Sequence, residues 1–151
     1  MKLLFSSAAL AGICLGLLAQ NATTNQPQPS SAAKLPSTIF SWEKMQATTT
    51  SNGMRRAVFD APTTTVDKVH CHITTLNPHA SSSEPIRHRQ EEIIVVKEGT
   101  IEATVDGRTE IAGPGSVIFF AANAVTRLRN LGDGPATYTV ISYYTPLTPK
   151  N

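Results

Sequence analysis

Pro85-Ile86-Arg87-His88-Arg89-Gln90-Glu91-Glu92-Ile93-Ile94-Val95-Val96-Lys97-Glu98-Gly99 decides the reading of the fold. Within it, Glu92 to Lys97 is nearly all branched and apolar, the composition of a strand covered on both faces. Gly99 closes the run. Beyond it, Ile101 to Val105 and Arg108 to Ile111 flank Asp106-Gly107, a two-residue link suited to a type I′ hairpin. Gly113-Pro114-Gly115 makes a turn before Ser116 to Phe120. Val125 to Arg129 then precedes the turn-rich Asn130 to Pro135, and Ala136 to Thr145 closes the set. Upstream, Arg55 to Asp60 and Val66 to Leu76 read as two further strands. No stretch holds a helical period over three turns. Short strands at this spacing predict an all-β domain, a sandwich or a barrel.

Two segments carry chemistry as well as fold. In the first, His88 is followed after three residues by Glu92 and after six more by Gly99. In the second, the Gly113-Pro114-Gly115 turn leads through a strand to Thr126 and, four positions on, to Asn130. Together they resemble the two signature motifs of the cupin superfamily, over about Val69 to Tyr144. The resemblance implies a jelly-roll barrel, the double-stranded β-helix. It also implies an inward-facing set of three His and one Glu that holds a transition metal or zinc.

Two of those four positions depart from the pattern. Ile86 stands where the first His is expected and Thr126 where the third is expected, leaving His88 and Glu92. A catalytic metal centre needs about three protein ligands, and an imidazole with a carboxylate holds a divalent ion weakly. The metal chemistry of the family therefore does not carry over directly. A site could be rebuilt if the face of His70 and His72 points inward, so that His72 or the loop residue His79 joins His88 and Glu92. The alternation of Val66 to Leu76 speaks for the other arrangement. Val69, Cys71 and Ile73 share one face, so His70 and His72 are expected on the outer surface beside Lys68.

Without a metal, His88 and Glu92 form a hydrogen-bonded couple inside the barrel, either purely structural or facing a bound molecule. The pocket expected around them is lined by Ile86, Thr126 and Leu128, and a barrel mouth is a natural small-ligand site. Glu91 falls on the opposite face from Glu92, which excludes paired-carboxylate glycosidase chemistry. Arg87, Arg89, Arg127 and Arg129 are all expected to face away from the pocket, towards Glu91, Glu102 or Glu110. Ser81-Ser82-Ser83 has no base at a fixed spacing and is no nucleophile candidate. Three function classes stay open: a small-molecule binder for a sugar or organic acid, a metal-dependent dioxygenase or isomerase with a rebuilt site, and a structural module with a filled barrel.

Composition bounds the remainder. With 151 residues there is room for one cored domain. Thirteen basic against eleven acidic residues, with no basic run, exclude a nucleic-acid binder. At the N-terminus, Lys2 precedes an uncharged, mostly apolar run from Leu3 to Ala19, and polar Gln20-Asn21 follow. Residues 1–19 read as a secretory signal, with no stop-transfer cluster to make a membrane anchor. Residues 20–37, rich in Ser, Thr, Pro and Gln, read as a disordered linker. The barrel domain is expected over 38–149, secreted or periplasmic. It would keep one cysteine, Cys71, read as a buried inert thiol. Cupins often dimerise through sheet packing, which gives Ile93 and Val95 an interface role in a homodimer.

Overall fold

A computed structural model describes residues 33–150. The expectations for a signal segment over 1–19 and for most of the 20–37 linker lie outside these residues. From Ala33 to Met45 the chain is irregular apart from a 3-10 turn at Trp42–Lys44. The Leu35 amide already donates to the Pro62 carbonyl at 2.8 Å. The end of the expected linker is thus tied to the domain.

Ten strands follow: β1 (Ala47–Thr50), β2 (Gly53–Ala61), β3 (Lys68–Leu76), β4 (Ile86–Arg87), β5 (Glu91–Glu98), β6 (Ile101–Val105), β7 (Arg108–Ala112), β8 (Val117–Phe120), β9 (Val125–Asn130) and β10 (Ala136–Tyr144). All pair antiparallel, in a six-stranded sheet of order β1-β2-β3-β10-β5-β8 and a four-stranded sheet of order β4-β9-β6-β7. This is the all-β jelly-roll expected. β1 and β4 are additions, because four and two residues are too few to show alternation. The β6–β7 turn is the predicted hairpin, with Asp106 and Gly107 both at positive φ (46° and 81°).

Register explains where the interior is wet and where it is dry. Across β3, β10, β5 and β8 the inward rows are His70–Ser142–Glu92–Phe120, then His72–Val140–Ile94–Ile118. Next come Thr74–Tyr138–Val96 and, at the far end of β3, Leu76–Ala136. Polar side chains thus gather at one end of the barrel. Ile94, Phe120 and Leu128 border this polar end, and beyond them Leu76, Val96 and Ala136 pack with Ile101 and Ala103 in one apolar cluster from both sheets.

The opposite face of the same sheet is also apolar, with rows Cys71–Ile141–Ile93–Phe119 and Ile73–Thr139–Val95–Val117. This overturns the expectation for β3. Its apolar face is the outer one, and its histidine face lines the barrel. Cys71 is buried and unpaired, and burial pushes its thiol pKa up, so the inert-thiol reading stands.

Two motif residues have structural work. Gly99 turns the chain at φ 81°, and a Cβ there would lie 2.5 Å from the Ala136 side chain. Asn130 is fully buried. Its Nδ2 donates to the Asn77 and Gly134 carbonyls, and its Oδ1 accepts from the Gly132 amide, which ties the turn to the loop after β3.

Candidate functional site

The wet end of the barrel holds a cavity of about 440 Å³. Small-ligand sites are typically ~300–1,000 Å³. His72, His88, Glu92, Ile86, Thr126 and Leu128 all line it. Ile86 and Thr126 face each other across the β4–β9 pairing, and the Thr126 hydroxyl points to the Ile86 carbonyl at 3.5 Å. His79 does not join them. It is exposed in the loop after β3 and bonds Asp133 at 3.0 Å.

Glu92 sits at the centre of a polar cluster, though not the expected one. Its Oε1 accepts from the Gln90 side-chain amide at 3.0 Å and from the Ser142 hydroxyl at 2.9 Å. The hydrogen-bonded His88–Glu92 couple is therefore replaced by a Glu92–Gln90–Ser142 cluster. All three side chains are buried, and the carboxylate satisfies two donors that would otherwise be stranded. His88 is left half-buried on the cavity wall.

β3 supplies a second network. The Arg55 guanidinium contacts His70 Nε2 at 3.0 Å, and the same nitrogen meets His72 Nδ1 at 3.0 Å. On its far side, His70 Nδ1 lies 3.7 Å from an Asp60 carboxylate oxygen. Burial, then the positive charge of Arg55, lowers the His72 pKa from 6.5 to about 3, so its ring is neutral at ordinary pH. Tyr138 closes the floor. Burial holds its phenol pKa up at about 12, so the hydroxyl stays a neutral polar group beside Thr74 and Ser82.

The rim carries a second correction. Arg127 also lines the cavity, and it donates to the Ser81 hydroxyl at 2.8 Å. The expected outward ion pairs of Arg87, Arg89, Arg127 and Arg129 with Glu91, Glu102 or Glu110 do not form among the described residues. Neither Arg55 nor Arg127 has a carboxylate partner there. Asn52 bonds the Ser81 and Ser82 carbonyls, pinning the β3–β4 loop across the mouth. Sequence reasoning missed Arg55, Tyr138 and Ser142 because only the register sets them beside the motif residues, and it passed over Gln90 although that residue lies two positions before Glu92.

The donors do not suit a metal centre. Ile86 offers only a carbonyl, already in contact with Thr126, and one oxygen of Glu92 is committed to two donors. Among the described residues no three His, Cys, Asp or Glu side chains converge as a ligand set.

Fold and cavity define a class: a small antiparallel barrel, dry at one end and open at the other to a ligand-sized polar pocket. The family model for the cupin domain matches residues 72–142, and the barrel built on that segment belongs to the cupin superfamily. Among solved structures, KdgF from Halomonas sp. superimposes with a TM-score of 0.62 at 15% identity, over 74% of this chain and 97% of that one. An RmlC-like cupin from Shewanella frigidimarina gives 0.60 at 15%, over 74% and 95%. The polyketide cyclase RemF from Streptomyces resistomycificus gives 0.59 at 21%, over 72% and 80%. At these identities what is shared is the fold. No curated protein sequence matched the chain.

Proposed function

We propose that this cupin domain binds a small molecule, of sugar or organic-acid type, in the cavity at the open end of the barrel, without a resident metal. One observation carries the reading. Polar groups from both sheets (His72, His88, Glu92, Tyr138, Thr126) converge on a preformed cavity, and Ile86, which stands where the motif resemblance expects a histidine ligand, lines it too. A side-chain-filled structural barrel would leave no such space. The supporting physics is that buried polar groups are kept where they are satisfied or used.

The test is a ligand screen by chemical-shift mapping with neutral polyols and small carboxylic acids. Binding should perturb the amides of His72, His88, Glu92 and Thr126. Leu128→Trp, which fills the cavity, should abolish it. Perturbations confined to the outer sheet face would contradict the proposal. Two further parts rest on other features. The apolar run after Lys2 supports export to a secreted or periplasmic location, which cell fractionation checks. The outer face, with Val95, Val117 and Phe119 at 37%, 66% and 54% exposure, supports a homodimer, which light scattering of Phe119→Lys checks.

A further inference from the structure

The Arg55–His70–His72 network favours one arrangement of the histidine protons. Arginine only donates. Its contact at 3.0 Å therefore requires a bare His70 Nε2, since an N–H there would point at another N–H. The neutral His70 proton then sits on Nδ1, the nitrogen facing Asp60. His72 Nδ1 lies 3.0 Å from the same Nε2, and with that nitrogen bare the hydrogen between the two rings sits on His72 Nδ1, sharing the one Nε2 lone pair with Arg55. A neutral His72 with a proton on Nδ1 has none on Nε2. That nitrogen is a lone-pair acceptor on a residue lining the cavity.

Resting on the small-molecule reading above, we propose that His72 Nε2 is the specificity-determining acceptor of the pocket, selecting an acid that also carries a hydroxyl group. The hydroxyl donates to His72. The acid group is met by Arg55, whose guanidinium stands beside the His70–His72 pair and keeps donors free after its one bond to His70. Arg127 adds a second cation at the rim. The cavity wall thus carries two guanidinium groups against the single carboxylate of Glu92. An acid lacking the hydroxyl covers His72 Nε2 without pairing it, and a neutral polyol leaves Arg55 without its counter-charge.

Two measurements test this. In 15N-labelled full chain, long-range proton–nitrogen spectra report the tautomer of each of the four histidines, assigned with single His→Gln variants. At neutral pH His72 should show a protonated Nδ1 and a bare Nε2. An Nε2-protonated His72 overturns the proposal without touching the small-molecule reading. The second measurement titrates matched pairs, lactate against propionate and malate against succinate. The hydroxy member should bind about tenfold more tightly. That ratio should fall to about one in His72→Phe, whose retained amide spectrum reports an intact fold. Equal affinities within each pair in the wild type, or a ratio that survives His72→Phe, overturn the role of His72. If no acid perturbs the pocket while a polyol does, the acid assignment falls and the cavity reading stands. If nothing in either class binds, both fall.

Discussion

Replacing His72 with Gln should flatten the acid sensitivity of the domain. His72 protonates near pH 6.5 in the unfolded chain but only near pH 3 in the folded one, because its ring is buried beside Arg55 and His70. Between those values the unfolded state holds the extra proton. Stability from this site is thus intact above pH 6.5 and falls steadily as the pH drops towards 3. Each tenfold difference in proton affinity is worth about 1.4 kcal/mol. Solvent reaches part of the ring, and screening brings the whole span to about 2 kcal/mol, of which about 1 kcal/mol is lost by pH 4.5. The assay is urea unfolding of wild type and His72→Gln at pH 7 and pH 4.5. Carboxylate titration is common to both proteins and cancels in the comparison. The wild type should lose about 1 kcal/mol more than the variant over this interval. Equal losses would refute the buried, neutral assignment of His72.

Other substitutions probe the cluster and the turns. Glu92→Leu strands the Gln90 amide and the Ser142 hydroxyl, so chemical denaturation should show a loss of about 2–3 kcal/mol rather than the neutral outcome of an apolar swap. Asn130→Ala removes three hydrogen bonds inside the barrel wall and should cost about 3 kcal/mol by the same measure. Gly99→Ala meets both a positive φ and the Ala136 side chain, and thermal unfolding should register a loss of at least about 2 kcal/mol.

The barrel was legible because its strands obey local rules. Alternation marks β9 and β10, a branched apolar run marks β5, and the turn residues sit where positive φ is needed, as at Asp106-Gly107 and Gly99. The motif residues His88, Glu92 and Thr126 were legible for the same reason, being set by spacing within one strand or its neighbour. The facing of β3 was not. Alternation tells two faces apart but not which is inside, and here the outer face is also apolar through Cys71, Ile93, Ile141 and Phe119. Choosing the more apolar face as the core therefore put His70 and His72 on the wrong side. Glu92 was misassigned to His88 because one of its two partners, Ser142, lies fifty residues away, on the neighbouring strand β10. Such long-range neighbours follow from sheet order, which no local pattern encodes.

Metal stoichiometry tests the central claim most directly, because Ile86 and Thr126, which the motif resemblance sets at two ligand positions, face each other across β4 and β9. Mature protein without an affinity tag would be equilibrated with Mn, Fe, Ni, Cu and Zn in turn, dialysed and measured by elemental mass spectrometry. The account predicts no stoichiometric metal in the wild type, and close to one equivalent once Ile86→His and Thr126→His complete the set with His88 and Glu92. Near one equivalent in the wild type, lost in His88→Ala, would contradict it and show a metal centre rebuilt around His72.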